Sequence, residues 1–135
     1  ERAMPLLGVR VLELGTFIAG PLTATHLVKL GASVTAIQPP ATSRGARSAS
    51  AFMPHMQKAL QQGKRVVPLD LDTQRGSLTK WICTSDVLIT NFSKQTLAKH
   101  SLDAATVLTE NPGIIHVWLP GFAAADYVSE APPDA

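Results

Sequence analysis

The sequence predicts an α/β domain, Rossmann-like, with a mostly parallel sheet and helices on both faces. Short strand-like runs alternate with helical patterns along the chain, the signature of repeated strand–helix–strand units. The run Asp86-Val87-Leu88-Ile89-Thr90 is short and apolar, as strands buried in a parallel sheet are. The 135 residues suffice for one domain with a real core and are too few for two.

The first strand is expected over 9–14, where β-branched and polar residues alternate. Gly20 and Pro21 then open a helix, since proline lacks the N–H that a first helical turn leaves unpaired. Ala24, Leu27, Val28 and Gly31 fall at i, i+3, i+4 and i+7, with Gly31 as the C-terminal stop. Strand two covers 33–38 and ends at Pro39-Pro40. A polar loop over 41–49 carries Arg44 and Arg47. A helix covers part of 50–62, with Phe52, Met56 and Leu60 facing inward and Pro54 in or before its first turn. Strand three, 65–71, contains Pro68, which donates no ladder hydrogen bond and argues for an edge or a bulge. Leu78, Trp81 and Ile82 mark a helix over about 73–84, and strand four is 86–90. Two short helices follow, about 94–100 and 103–110, then a turn at Asn111-Pro112-Gly113 and a fifth strand closed by Pro120-Gly121. The domain is expected to end at 122, with 123–135 an Ala/Pro-rich tail or linker. The opening Glu1-Arg2-Ala3-Met4 and this tail read as the cut ends of a piece from a longer chain.

Composition narrows the partners. A mean hydropathy of +0.13 fits a soluble globular protein. No run approaches the roughly 20 apolar residues of a membrane span, and no signal peptide is visible. One cysteine, Cys83, excludes an internal disulfide framework and fits a reducing, cytoplasmic setting. The net charge of +2 is uneven: residues 1–65 carry eight basic side chains against two acidic ones, and 66–135 carry four against eight. The basic half suits an anionic ligand. Nucleic acid fits poorly, because there is no basic helix stripe, aromatic stacking series or zinc spacing.

In open parallel sheets ligands sit outside the carboxyl ends of the strands, near the switch in strand order. Here that edge consists of 16–21, 38–47, 71–73, 91–94 and 120–122. The first of these loops presents backbone N–H groups at a helix N-terminus, which favours anions, and Arg44 and Arg47 lie on the next. A phosphate-bearing nucleotide suits this arrangement. NAD suits it poorly: the first turn has only Gly15 and Gly20, and Gln38 stands where an acidic residue would hold the ribose.

The segments 5–40, Gly63-Lys64-Arg65 with Leu69-Asp70-Leu71, Asp86-Val87-Leu88-Ile89 with Asn91-Phe92, and Asn111-Pro112 with Ile114 occur in one order and spacing. Over 5–122 the sequence resembles the N-terminal part of the class III CoA-transferases, a group that includes formyl-CoA and carnitine CoA-transferases and the α-methylacyl-CoA racemases. The resemblance implies coenzyme A as the ligand, taken as a substrate. It places backbone at Ile18 and Ala19 beside CoA, Asn91 and Phe92 in the CoA site, Lys99 near the phosphates and Leu69 near the adenine. Arg44 and Arg47 are added from charge and position alone. The implied partners are CoA or an acyl-CoA, the remainder of the parent chain, and a second copy in an interlocked dimer built mostly from segments outside these residues.

The sequence departs from the family at Gln38-Pro39, where members carry an acidic and then a basic residue, and at Asp72, where they carry lysine. The transferases' acylated aspartate is expected downstream of these residues, in a glycine-rich segment. The racemases' His-Asp pair would fall near 131–135, which holds Asp134 and no histidine. Two readings follow. The first is the CoA-binding front portion of an enzyme that moves CoA between carboxylic acids or epimerises an acyl-CoA. The second is a non-catalytic copy of the fold serving as a structural or interaction module in a larger enzyme. His116 reads as a hydrogen-bonded core residue, His26 as surface or packing, and Cys83 as a buried thiol. His55 and His100 lack partners at metal spacing. A turn-forming role is the plainer alternative for Asn91.

Overall fold

The computed structural model describes residues 3–42 and 54–121. Five strands, β1 (Arg10–Leu14), β2 (Ser33–Gln38), β3 (Arg65–Pro68), β4 (Val87–Thr90) and β5 (Ile115–Trp118), form one sheet in the order β3-β2-β1-β4-β5. Every pairing is parallel, so the strand order reverses between β1 and β4. The helices are α1 (Ala19–Lys29), α2 (Pro54–Gln61), α3 (Arg75–Thr84), α4 (Lys94–Lys99) and α5 (Ala104–Glu110).

Side-chain alternation along β1 sets the two layers. Leu12 and Leu14 join Leu88, Leu78 and Ile82 of α3, Leu97 of α4 and Val107 of α5 in one buried cluster. Val11 joins Ile89, Val34 and Ala24 of α1 in the other. The sheet is therefore covered on both faces, which is why the buried positions of its central strands are apolar apart from Glu13 and Thr90.

Local chemistry fixes the joints. Ser93 and Asp103 cap α4 and α5, each side chain accepting from the backbone N–H three residues on. Asn111 Nδ2 donates to the Ile82 and Ser85 carbonyls and so satisfies the end of α3. Arg75 donates to the carbonyls of His100 and Ser101 at 2.7 Å and pairs with Glu110, tying α3 to α5. Gly31, at φ +100°, stops α1 as expected.

Four sequence expectations shift. Helix α1 starts at Ala19, so Pro21 is its third residue rather than its first. Strand β3 ends at Pro68; the edge position inferred from that proline holds. Helix α2 buries no side chain fully: Met56 is 41% exposed, and only Leu60 of the expected pair is half-buried. Cys83 is exposed rather than buried, because it lies off the Leu78–Ile82 face of α3. His116 is half-buried with Nε2 3.1 Å from the Leu102 carbonyl, the packing role expected of it. Phe52, Arg44, Arg47, Phe122, Asp134 and the 123–135 tail lie outside the described residues.

Candidate functional site

At the reversal of strand order, the tips of β1 and β4 are joined side chain to backbone. Asn91 Oδ1 accepts from the Thr16 N–H at 2.8 Å, and Asn91 Nδ2 donates to the Thr16 carbonyl at 2.7 Å. The one amide satisfies both backbone groups of Thr16 beyond the end of the strands. Space at the joint is small. A Cβ on Gly15 would lie 2.9 Å from Pro21 Cδ, and one on Gly20 would lie 3.2 Å from Asn91 Oδ1. These two glycines thus serve close packing of the turn itself.

The turn carries strain. Phe17 has φ +57°, a region bulky side chains rarely adopt, and the residue is 76% exposed. Helix α1 follows with no side-chain cap and no acidic residue in its first turn. Its positive dipole end thus carries no carboxylate from the first turn itself.

Structure brings Ile18, Ala19, Asn91 and Phe92 to one edge. Ile18 is 43% exposed, whereas Phe92 is half-buried and packs on the core. Trp118 Nε1 donates to the Phe92 carbonyl at 2.9 Å and so joins the β5 tip to the same edge. Leu69 is buried in the main core cluster, its N–H bonded to the Gln38 carbonyl at 2.8 Å. Lys99, at the end of α4, is exposed and pairs with Asp72 at 3.0 Å. That hydrogen bond and the ammonium charge hold the Asp72 carboxyl below its ordinary range. His100 Nδ1 lies 3.9 Å from the same carboxylate. Among the described residues no group of three or more His, Cys, Asp or Glu side chains is placed to hold a metal ion.

Two residues that sequence reasoning passed over lie beneath this edge. Glu13 of β1 and Lys64, just before β3, form an ion pair at 2.7 Å with both side chains 1% exposed. Lys64 Nζ also donates to the Pro21 carbonyl of α1 at 2.8 Å. Burial pushes the Glu13 carboxyl above its ordinary range, against the opposing pull of Lys64. The available signal was a glutamate inside the Val-Leu-Glu-Leu run of a central strand, where both faces are covered and an ionisable group needs a partner.

The fold is an open, all-parallel α/β sheet with helices on both faces and a reversal of strand order between β1 and β4. The family model for CoA-transferase family III matches residues 6–132, and the chain belongs to that family. It is 32% identical over 137 residues to a succinate–glutarate CoA-transferase of Agrobacterium fabrum, covering 90% of this chain and 34% of that protein. It is 33% identical over 121 residues to the human alpha-methylacyl-CoA racemase, covering 88% of this chain and 29% of the racemase. Among solved structures, a CAIB/BAIF family protein from Brucella suis superposes with a TM-score of 0.79 at 28% identity, covering 96% of this chain and 37% of that one. The chain spans about a third of the length of these relatives. No helix among the described residues is long and apolar enough to cross a membrane.

Proposed function

We propose that this chain is the CoA-binding front portion of a family III enzyme that transfers CoA between carboxylic acids or epimerises an acyl-CoA. The observation that carries the reading is the Asn91–Thr16 pairing, which fixes the exposed, uncapped start of α1 at the reversal of strand order. There the outward backbone N–H groups and the helix dipole favour phosphate oxygens. Ile18, Ala19, Asn91 and Phe92 line the CoA site in this reading, Leu69 backs it from the core, and Lys99 faces the phosphates; Arg44 and Arg47, outside the described residues, are assigned to the same ligand on charge and chain position alone. The acylated aspartate of the transferases lies outside these residues, so the chain alone supplies binding and no complete reaction.

Calorimetric or NMR titration with CoA and acetyl-CoA tests this. Micromolar binding that weakens with salt, with shifts at residues 16–22 and 91–92, supports it; no change at millimolar ligand overturns it.

One observation favours the second reading, a non-catalytic module. Asp72 stands where relatives are expected to carry lysine, and it occupies the Lys99 ammonium at 3.0 Å. An internal carboxylate on the phosphate-facing cation opposes an anionic ligand. Absence of CoA binding in the same titration supports the module.

A further inference from the structure

We propose that Lys64 is a positioning residue for the β1–α1 turn: through its bonds to Glu13 and the Pro21 carbonyl, it pins the first turn of α1 to the sheet from below. The inference rests in part on the CoA-binding reading, and its test is arranged to separate the two.

The geometry begins with the strand. Glu13 shares the side of β1 occupied by Val11, the side that α1 covers, so its carboxylate is directed under that helix. Lys64 enters the same space from the far side. Gly63 immediately before it has φ +77° and lies so close to α1 that an added Cβ would come within 2.9 Å of Val28 Cγ1. The lysine stem thus starts against the helix and ends at Glu13 Oε2 and the Pro21 carbonyl, 2.7 and 2.8 Å away. Thr25 Oγ1 donates to the same carbonyl at 2.9 Å. Pro21 in turn packs against Gly15 in the turn.

Stability alone does not account for the arrangement. A buried ion pair contributes little more than well-packed apolar side chains of the same size, because desolvation offsets its Coulomb attraction. What such apolar residues cannot supply is a directed donor on the Pro21 carbonyl. Asn91 holds the turn from β4, and Lys64 holds it from the opposite side, at the entrance to β3. Between these two fixings lie Phe17, at positive φ, and Ile18, whose carbonyl accepts the Leu22 N–H.

The test compares the wild-type chain with the double variant Glu13→Met/Lys64→Met, which keeps side-chain length and removes both charges together. Two readouts are taken: amide hydrogen exchange across the chain, and CoA affinity by calorimetry. The expected result is exchange accelerated about tenfold or more at Leu22, Thr23 and Thr25 while β1, β2 and β4 keep wild-type protection, with CoA affinity about tenfold weaker. Unchanged turn exchange in the double variant overturns the inference. So does loss of protection throughout the sheet, which would make the pair a core element. Failure of the wild-type chain to bind CoA overturns the proposed function, and the exchange comparison then decides the role of Lys64 by itself.

Discussion

Replacing Asn91 by alanine removes two hydrogen bonds at once, the donation from Thr16 N–H at 2.8 Å and the donation to the Thr16 carbonyl at 2.7 Å. A neutral hydrogen bond contributes about 0.5–1.5 kcal/mol net, so the pair is worth about 1–3 kcal/mol. Thr16 is exposed and water can replace part of what is lost, so the lower half of that range is expected. For a domain of this size that lowers Tm by about 3–8 °C. Asn91→Asp sharpens the test. The introduced carboxylate still accepts from the Thr16 N–H but sets a second oxygen against the Thr16 carbonyl, so at pH 7 it should destabilise at least as much as alanine. On acidification the carboxyl gains a proton and can donate again. The variant should therefore recover toward wild type as pH falls, with its pKa above the ordinary aspartate value. Urea midpoints followed by circular dichroism at pH 7 and pH 4 read both effects. An Asn91→Ala variant within about 0.3 kcal/mol of wild type would refute the view that this side chain closes the turn.

Three further outcomes are expected. Gly31→Ala places a Cβ at φ +100° and 3.1 Å from Met4 Cβ, so it should lose about 1–2 kcal/mol by chemical denaturation. Asp86 is held below its ordinary pKa by the Arg10 side chain and then by the Arg10 N–H, and Asp72 and Asp103 are held low by Lys99 and Thr106. A depressed carboxylate contributes stability above its unfolded pKa and loses it as pH falls through the folded value. Stability should accordingly decline below about pH 4, and Asp86→Asn should flatten that limb in urea midpoints measured against pH. Asp72→Asn frees Lys99, so CoA affinity should rise and its salt dependence steepen; an unchanged titration would remove Lys99 from the phosphate site.

What the sequence by itself determined was the order of elements and the end of the sheet at which they converge. Strand and helix periods are local, and Gly31, Pro39 and Pro68 act on their own backbone, so those boundaries were legible within a few residues. Asn91 was legible as a residue of the sheet edge because it follows an apolar run. That its amide is spent on Thr16 was not, since the partners lie 75 positions apart. Tertiary structure alone decided the rest. Cys83 and Met56 are exposed because of how α3 seats on the sheet and α2 on α1, which helical periodicity does not state. The Lys99–Asp72 pair required α4 and the loop after β3 to meet. The Glu13–Lys64 pair required three separate elements to close over two charges, and only a partner at 2.7 Å makes either charge tolerable in a site that water does not reach.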